Sequence, residues 1–106
     1  MMKIRGYEFK NYTPHEVHLI LANEIFTIAS AGNVRVGEER QETEIEFVKK
    51  KQFTTPIGLP EPETNTYYIV SNLVLSACPE RTDLVAPDLL CRDEKGKIIG
   101  CMGFSN

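Results

Sequence analysis

Two arginines and a serine in the second half of the sequence could together bind an anionic ligand. Ser71 precedes a predicted helix that begins at Asn72, so its hydroxyl could cap that helix while the first helix amides face a phosphate. Arg81 and Arg92 could complete such a site, because guanidinium groups bind phosphate oxygens in a bidentate manner. In the competing interpretation Ser71 is only a helix cap. The sequence contains no GxxxxGKS/T or GxGxxG motif, which argues against a nucleotide-hydrolysing loop.

Two further charged pairs are open to both a functional and a structural interpretation. Arg81 and Asp83 are two residues apart in the segment PERTDL. In an extended segment their side chains project to the same side, so they could pair with each other or receive a ligand together. Arg92 and Asp93 lie at the entrance of a predicted hairpin, where Asp93 is better explained as an acceptor that stabilises the turn.

The histidines and cysteines do not form a metal-binding or nucleophilic pattern. His15 and His18 are three residues apart, which places them on opposite faces of a strand, whereas the zinc protease motif HExxH needs a spacing of four. Cys78, Cys91 and Cys101 form no CxxC pair, and the sequence has no GxSxG elbow. We therefore expect no metal, no cofactor and no catalytic residue, while His15 could still contact a ligand or partner.

Length and composition predict one domain that spans residues 1–106. Apolar residues make up 42% of the chain and charged residues 25%, which is ordinary for soluble globular proteins. The net charge of −3 argues against general nucleic-acid binding, because phosphate neutralisation needs a basic surface. The odd cysteine number and the lack of a long apolar run predict a reduced, cytoplasmic protein with no membrane contact.

Alternation of apolar and polar residues predicts strands in the first half of the chain. Residues 17–21 and 25–28 alternate, and residues 22–24 are short enough to join them as a hairpin. Residues 43–47 alternate with an acidic outer face, which predicts another strand. The three lysines at residues 49–51 could then pair with glutamates across neighbouring strands, and we prefer this solvated edge to a polyanion site.

The second half of the sequence predicts one strand, one helix and one hairpin after a proline-rich connection at residues 55–65. Tyr67 begins the strand, and the helix that follows Ser71 has apolar residues on nearly every side. We therefore expect Leu73, Leu75 and Ala77 to be buried. The fold class predicted from these elements is α+β, with a strand-rich antiparallel sheet and one short buried helix.

Several motifs in the chain are similar to those of one group of proteins. The segments that carry them are NYTPHEVHL, GLPEPETNTYYIVSNLVLSACPERTDLVAPD and RDEKGKIIGCMGF. They resemble small proteins of bacteriophages and prophages that open with an N-x-TPH turn and continue through an LPEP loop, a YIVS strand, a P-x-R-x-DL-x-x-P segment and an RDE-x-G-x-IIG hairpin. The resemblance is weakest over residues 32–54 and implies a viral context.

This resemblance suggests a function in binding. Small phage proteins that act without catalysis often counter bacterial immunity, and some are sponges that sequester cyclic nucleotide or ADP-ribose-type signals. Such a role would use arginines and helix amides for phosphates and an aromatic side chain such as Tyr67 for a base. We expect a homo-oligomeric accessory protein that sequesters a nucleotide-derived immune signal. The alternative is a protein-interaction module, either a virion assembly factor or an inhibitor of a host protein, and a phosphoester-cleaving enzyme comes third.

Overall fold

The protein is built mainly from strands. A computed structural model describes residues 2–106. Its elements are β1 (Met2–Ile4), β2 (Tyr7–Asn11), β3 (Val17–Leu21), β4 (Glu24–Ile28), β5 (Glu38–Glu42), β6 (Lys49–Phe53), β7 (Thr66–Ile69), α1 (Asn72–Ala77), β8 (Leu84–Arg92) and β9 (Ile98–Ser105). The expected strand-rich architecture with one short helix is confirmed.

Seven strands form one mixed sheet in the order β1-β2-β7-β8-β9-β3-β4, and β5 pairs only with β6. The prediction of an antiparallel sheet is therefore only partly right, because β7 is parallel to both β2 and β8, and β3 is parallel to β9. The helix α1 lies in the crossover from β7 to β8. Parallel neighbours need such a long connection, which a tight hairpin cannot provide.

The buried side chain of Asn11 joins β2, the second strand from one edge of the sheet, to the end of β4 at the other edge. Asn11 bridges to Ser30, just beyond β4, although β2 and β4 are far apart in the strand order. Its Nδ2 donates to the carbonyls of His15 at 2.8 Å and Ile28 at 3.0 Å. Its Oδ1 accepts from the Thr13 amide at 3.0 Å and from the Thr13 hydroxyl at 2.6 Å. These bonds close the curved sheet on itself.

The two faces of the sheet carry separate apolar cores. The core inside the curved sheet consists of Ile4, Leu19, Ile28, Ile69, Val85 and Cys101. The core on the outer face, beneath α1, consists of Val34, Tyr68, Val70, Val74, Cys78 and Leu84. Alternation along β7 and β8 sends successive side chains to opposite cores, so Tyr68 and Ile69 are both completely buried.

The helix α1 is only half-buried, which contradicts the prediction of a buried helix with Leu73, Leu75 and Ala77 in the core. Ser71 is its N-cap and its hydroxyl accepts from the Val74 amide at 3.3 Å, as expected. Val74 and Cys78 face the outer core, whereas Leu73 is 42% exposed and Leu75 and Ala77 are only partly covered. Six residues make fewer than two turns, so a single stripe of the helix can reach the sheet.

Strands β5 and β6 form an arm that extends from the rest of the molecule. Gly37 and Thr54 close its base, where the Thr54 amide donates to the Gly37 carbonyl at 2.9 Å. The predicted strand at residues 43–47 is wrong, because these residues form the loop at the arm's tip. The Thr43 hydroxyl donates to the Val48 carbonyl at 2.7 Å and accepts from the Ile45 amide at 3.2 Å, and so holds the loop together.

Other local predictions are confirmed. Strands β3 and β4 form a hairpin through Ala22 and Asn23, and β8 and β9 form another in which Gly96 takes a φ of +81°. The expected cross-strand charge pairs are present in the arm, where Lys49 Nζ lies 2.6 Å from Glu42 Oε2 and Lys51 Nζ lies 3.9 Å from Glu38 Oε2. Residues 55–65 are irregular apart from a bridge at Ile57.

Replacing Asn11 by aspartate should destabilise the fold. The change preserves shape but removes both amide donors and places a charge in a fully buried position, so we expect a loss of about 3 kcal/mol or more in the free energy of unfolding. Urea unfolding would measure the loss. The control is Asn23→Asp in the exposed β3–β4 turn, and equal stability of the two variants would contradict the role given to Asn11.

A pair of substitutions tests the orientation of α1. Val74→Asp should cost several kcal/mol, because it places a charge in the outer core, whereas Leu73→Asp on the exposed side should change stability by only about 0.5 kcal/mol. Thermal unfolding of both variants provides the comparison. A larger loss for Leu73→Asp would mean that the helix presents its other side to the sheet.

Candidate functional site

Four aromatic rings form a ladder on the face of the sheet that holds the inner core. Phe9 lies directly beside Tyr67 in the parallel pair of β2 and β7. Their ring centroids are 5.5 Å apart and the two rings are nearly parallel, and Phe104 also stacks against Phe9 with a centroid distance of 5.5 Å. Tyr7 meets Tyr67 at 5.7 Å with a tilt of 60°. These rings are only partly buried or exposed, so the ladder offers aromatic surface to a ligand.

Three adjoining hollows surround the open end of this ladder, and we call them together the terminal cleft. One hollow, of about 330 Å³, lies against Phe9, Tyr67 and Phe104. A second, of about 410 Å³, lies between the end of α1 and Arg81. A third, of about 180 Å³, is bordered by Tyr67 and Asp83. They adjoin because Asn106 lines the first two hollows, and Thr82 lines the second and third.

Arg81 and Asp83 form a bidentate pair at the edge of the cleft. Arg81 Nε and Nη2 each donate to one carboxylate oxygen of Asp83 at 2.8 Å, and Nη2 also donates to the Pro60 carbonyl at 2.9 Å. Both side chains are only 17% exposed. The pair therefore has a structural role, in which it fastens the proline-rich loop to the segment before β8. The Tyr68 hydroxyl fastens the same loop by donating to the Glu61 carbonyl at 2.8 Å.

The charges of this pair stabilise each other. Hydrogen bonds from the Arg81 guanidinium hold the pKa of the Asp83 carboxyl below its usual range. The Asp83 carboxylate in turn raises the pKa of Arg81. Because the two charges cancel, this side of the cleft presents little net positive charge to an anion.

The helix-entry residues do not border the cleft's hollow at α1. That hollow is lined by Leu75, Ser76 and Cys78, which lie towards the C-terminal end of the helix. Ser71 and Asn72 are exposed at the opposite end, and the Ser71 hydroxyl is occupied by its capping bond. The structure therefore gives the capping interpretation direct support and does not bring Ser71 to Arg81.

Arg92 and His15 also lie away from the cleft. Arg92 follows Val85 by seven residues along β8, which corresponds to roughly 23 Å of extended strand. Its Nη1 donates to the Gly96 carbonyl at 2.9 Å, and Asp93 accepts from the Lys95 and Lys97 amides, as expected for a turn-stabilising acceptor. His15 has an exposed side chain, and its carbonyl completes the bonds of the Asn11 amide. The predicted site residues therefore do not form one cluster. Of these residues, only Tyr67, Arg81 and Asp83 border the terminal cleft.

A hydroxyl, an imidazole and a carboxylate lie in a row on the outer surface of β3 and β4. His18 Nδ1 is 3.0 Å from Thr27 Oγ1, and His18 Nε2 is 3.3 Å from Glu16 Oε1. This order resembles that of nucleophilic hydrolases. Thr27 and Glu16 are exposed, however, so water competes for each contact, and the row is well explained as a cross-strand pair with a flanking carboxylate.

Two of the three thiols are poor candidates for chemistry. Cys78 and Cys101 are buried, and burial raises the pKa of each thiol. Within residues 2–106, no three His, Cys, Asp or Glu side chains cluster in a way that could hold a metal ion.

Sequence reasoning missed most of the ladder. It did not predict β1 and β2, although Arg5 and Gly6 take the positive φ angles of a tight hairpin turn. The spacing of Tyr7 and Phe9 would have indicated two aromatics on one face of a strand. Phe104 could not be placed beside them without knowing that β9 returns to the same face.

Comparison of the chain with models of protein families, with curated proteins and with solved structures finds no match. Among the described residues, no helix has the length and apolar character needed to cross a membrane. The site must therefore be interpreted from its own geometry.

The Arg81–Asp83 pair should make stability depend on pH. Asp83→Asn should lower the free energy of unfolding by about 1.5 to 3 kcal/mol at neutral pH, since a charge-assisted pair is lost. The folded-state pKa of Asp83 is depressed, so its contribution is complete above the unfolded-state pKa near 3.9 and is lost as pH falls through the folded-state value. Urea unfolding from neutral to acidic pH would check this.

The stabilities of wild type and variant should accordingly begin to approach each other as pH falls below about 4, and should meet only below the depressed folded-state pKa of Asp83. Glu80→Gln, at an exposed neighbouring position, is the control and should show no such convergence. A stability difference between Asp83→Asn and wild type that stays constant down to acidic pH would show that the ion pair is not its source.

Proposed function

We propose that this small α+β protein works in the cytoplasm of a phage-infected or lysogenic bacterium, where it binds and sequesters a nucleotide-derived immune signal without catalysis. The observation that carries the proposal is the stacked ladder of Tyr67, Phe9 and Phe104 beside a hollow of about 330 Å³. A nucleobase is flat and aromatic, and stacking on such side chains tolerates any base. The resemblance of the sequence motifs to small phage proteins supports the viral setting.

The polar side of the cleft supports a ligand that carries hydrogen-bonding groups beyond the base. Thr82 and Asn106 lie between the ladder and Arg81, and the Asn106 side chain donates to the Thr82 carbonyl at 3.2 Å. Arg81 uses Nε and Nη2 for its own pair, which leaves Nη1 as the donor that a ligand can take. Base stacking, more than phosphate binding, therefore supplies the affinity in this proposal.

A second candidate function is a protein-interaction module, either a virion assembly factor or an inhibitor of a host protein. It is favoured by an apolar surface on β8 and β9, where Leu90, Ile98 and Ile99 are each close to half exposed and border a hollow of about 200 Å³. Clusters of exposed apolar side chains are typical of protein contact sites. Leu90→Ser and Ile99→Ser together should abolish capture of a phage or host partner if this candidate is right.

Tyr67→Leu tests the proposed ligand site. The change keeps apolar volume but removes the stacking surface, so we expect the affinity to fall about 10-fold or more. Isothermal titration of wild type and variant against cyclic nucleotides and ADP-ribose derivatives would measure the loss. Mass spectrometry of the released ligand should recover it intact, whereas cleaved ligand would establish an enzyme.

Phe47→Leu is the matched control, because it makes a similar change at the exposed tip of the arm and should leave affinity unchanged. Arg92→Ala should also bind as wild type does, because Arg92 is remote from the cleft. If wild type binds no compound of the panel, the sequestration proposal fails and the protein-interaction module takes its place.

A further inference from the structure

The two strands of the arm carry opposite charges. Strand β5 contains Glu38, Glu39 and Glu42 against one arginine, whereas β6 contains three consecutive lysines, Lys49 to Lys51. Each strand pairs with the other on one side, so its second edge has unpaired backbone groups. The arm therefore has one acidic open edge and one basic open edge.

The arm has little to stabilise it in a single copy of the chain. Every residue of β5 is exposed, and in β6 only Gln52 is partly covered. The loop at its tip exposes Phe47 to 85% and Ile45 to 49%. An isolated two-stranded hairpin is marginally stable in water. These features indicate a segment that is completed by a partner.

We propose that this partner is a second copy of the chain, and that arms pair head to tail, the acidic edge of β5 in one copy with the basic edge of β6 in the next. Pairing of two β5 edges would oppose glutamates, and pairing of two β6 edges would oppose lysines, and both are destabilising. Lysines usually protect an open edge from pairing. In this arm the lysines of β6 repel only the basic edge of another β6, so the acidic edge of β5 can still pair with the basic edge of β6.

Two charged residues of the arm define the contact. Within the arm Glu39 is paired with Gln52, and Lys50 is paired with Gln41, and paired residues share a face of the sheet. Glu39 and Gln41 are two residues apart on β5, so Glu39 and Lys50 project from the same face. Neither forms a salt bridge with another residue in the described part of the chain. When a second arm extends the sheet with its faces aligned, a register displaced by two residues from that within the arm sets Glu39 of one copy opposite Lys50 of the next, and both gain a partner.

Head-to-tail pairing also covers the apolar tips. Arms joined in this way all point in one direction, and equivalent residues repeat every two strands, about 10 Å across the sheet with an offset of two residues, or about 7 Å, along the strands. Phe47 side chains of successive copies then lie within reach of each other. A heterologous contact of this kind leaves a free edge at each end until a ring closes, so the assembly contains at least three copies.

Light scattering coupled to size exclusion tests the proposal. Wild type should have at least three times the monomer mass of 12.0 kDa. Glu39→Lys alone and Lys50→Glu alone should each raise the concentration needed for assembly by about tenfold or more, because like charges then face each other. An equimolar mixture of the two variants should assemble again, with an even number of copies or as an open chain, since every junction between the two variants joins unlike charges. High salt should weaken the wild-type assembly.

The controls change the same charges at exposed positions in the β8–β9 turn, Glu94→Lys and Lys97→Glu, and should leave the mass unchanged. Phe47→Trp provides a second measurement in a chain without tryptophan, and its emission should shift to shorter wavelength as the protein assembles. A monomeric or strictly dimeric wild type, or a mixture of variants that stays dissociated, would overturn the proposal. Far-ultraviolet circular dichroism would show that each variant remains folded.

Discussion

The buried amide of Asn11 is the constraint on which the rest of the structure depends. One side chain uses all of its hydrogen-bonding capacity to join the end of β2, the turn through Thr13 and His15, and the end of β4. A buried polar group is tolerated only when its bonds are satisfied, so the three segments must arrive together. This requirement turns an open seven-stranded order into a curved, closed sheet with an enclosed inner core.

The closed sheet fixes β7 between two cores, and β7 in turn positions the cleft. Tyr68 points outwards and holds the proline-rich loop, while Tyr67 points inwards and meets Phe9. Strand β7 thus contacts two parts of the site: the proline-rich loop that Arg81 also holds, and the aromatic ladder that borders the cleft. A change in the packing of β7 would move both sides of the cleft at once, because interiors are too densely packed to deform on one side only.

Local signals in the sequence were sufficient for several elements. The hairpin of β3 and β4, the Ser71 cap and the turn at Gly96 each depend on residues that are close in sequence. The parallel pairing of β2 with β7 depends on residues more than fifty positions apart, and no local pattern specifies it. The same limit explains the site: Tyr67 and Arg81 were predicted, but Phe9 and Phe104 join them only through long-range pairing.

The arm illustrates a different limit of sequence reasoning. Alternation at residues 43–47 predicts a half-buried strand, yet no core lies beside the arm to select one face. The register of the arm is set instead by the charge pair of Glu42 with Lys49 and by the hydrogen bonds of Thr43. The strands are therefore formed by the charged residues, and the apolar residues lie in the loop. Apolar periodicity is informative only where an apolar surface is available to pack against. In the arm that surface is absent from the described chain itself, and the self-assembly proposed above would supply it, because neighbouring arms would cover the apolar tip and pair the unlike edges.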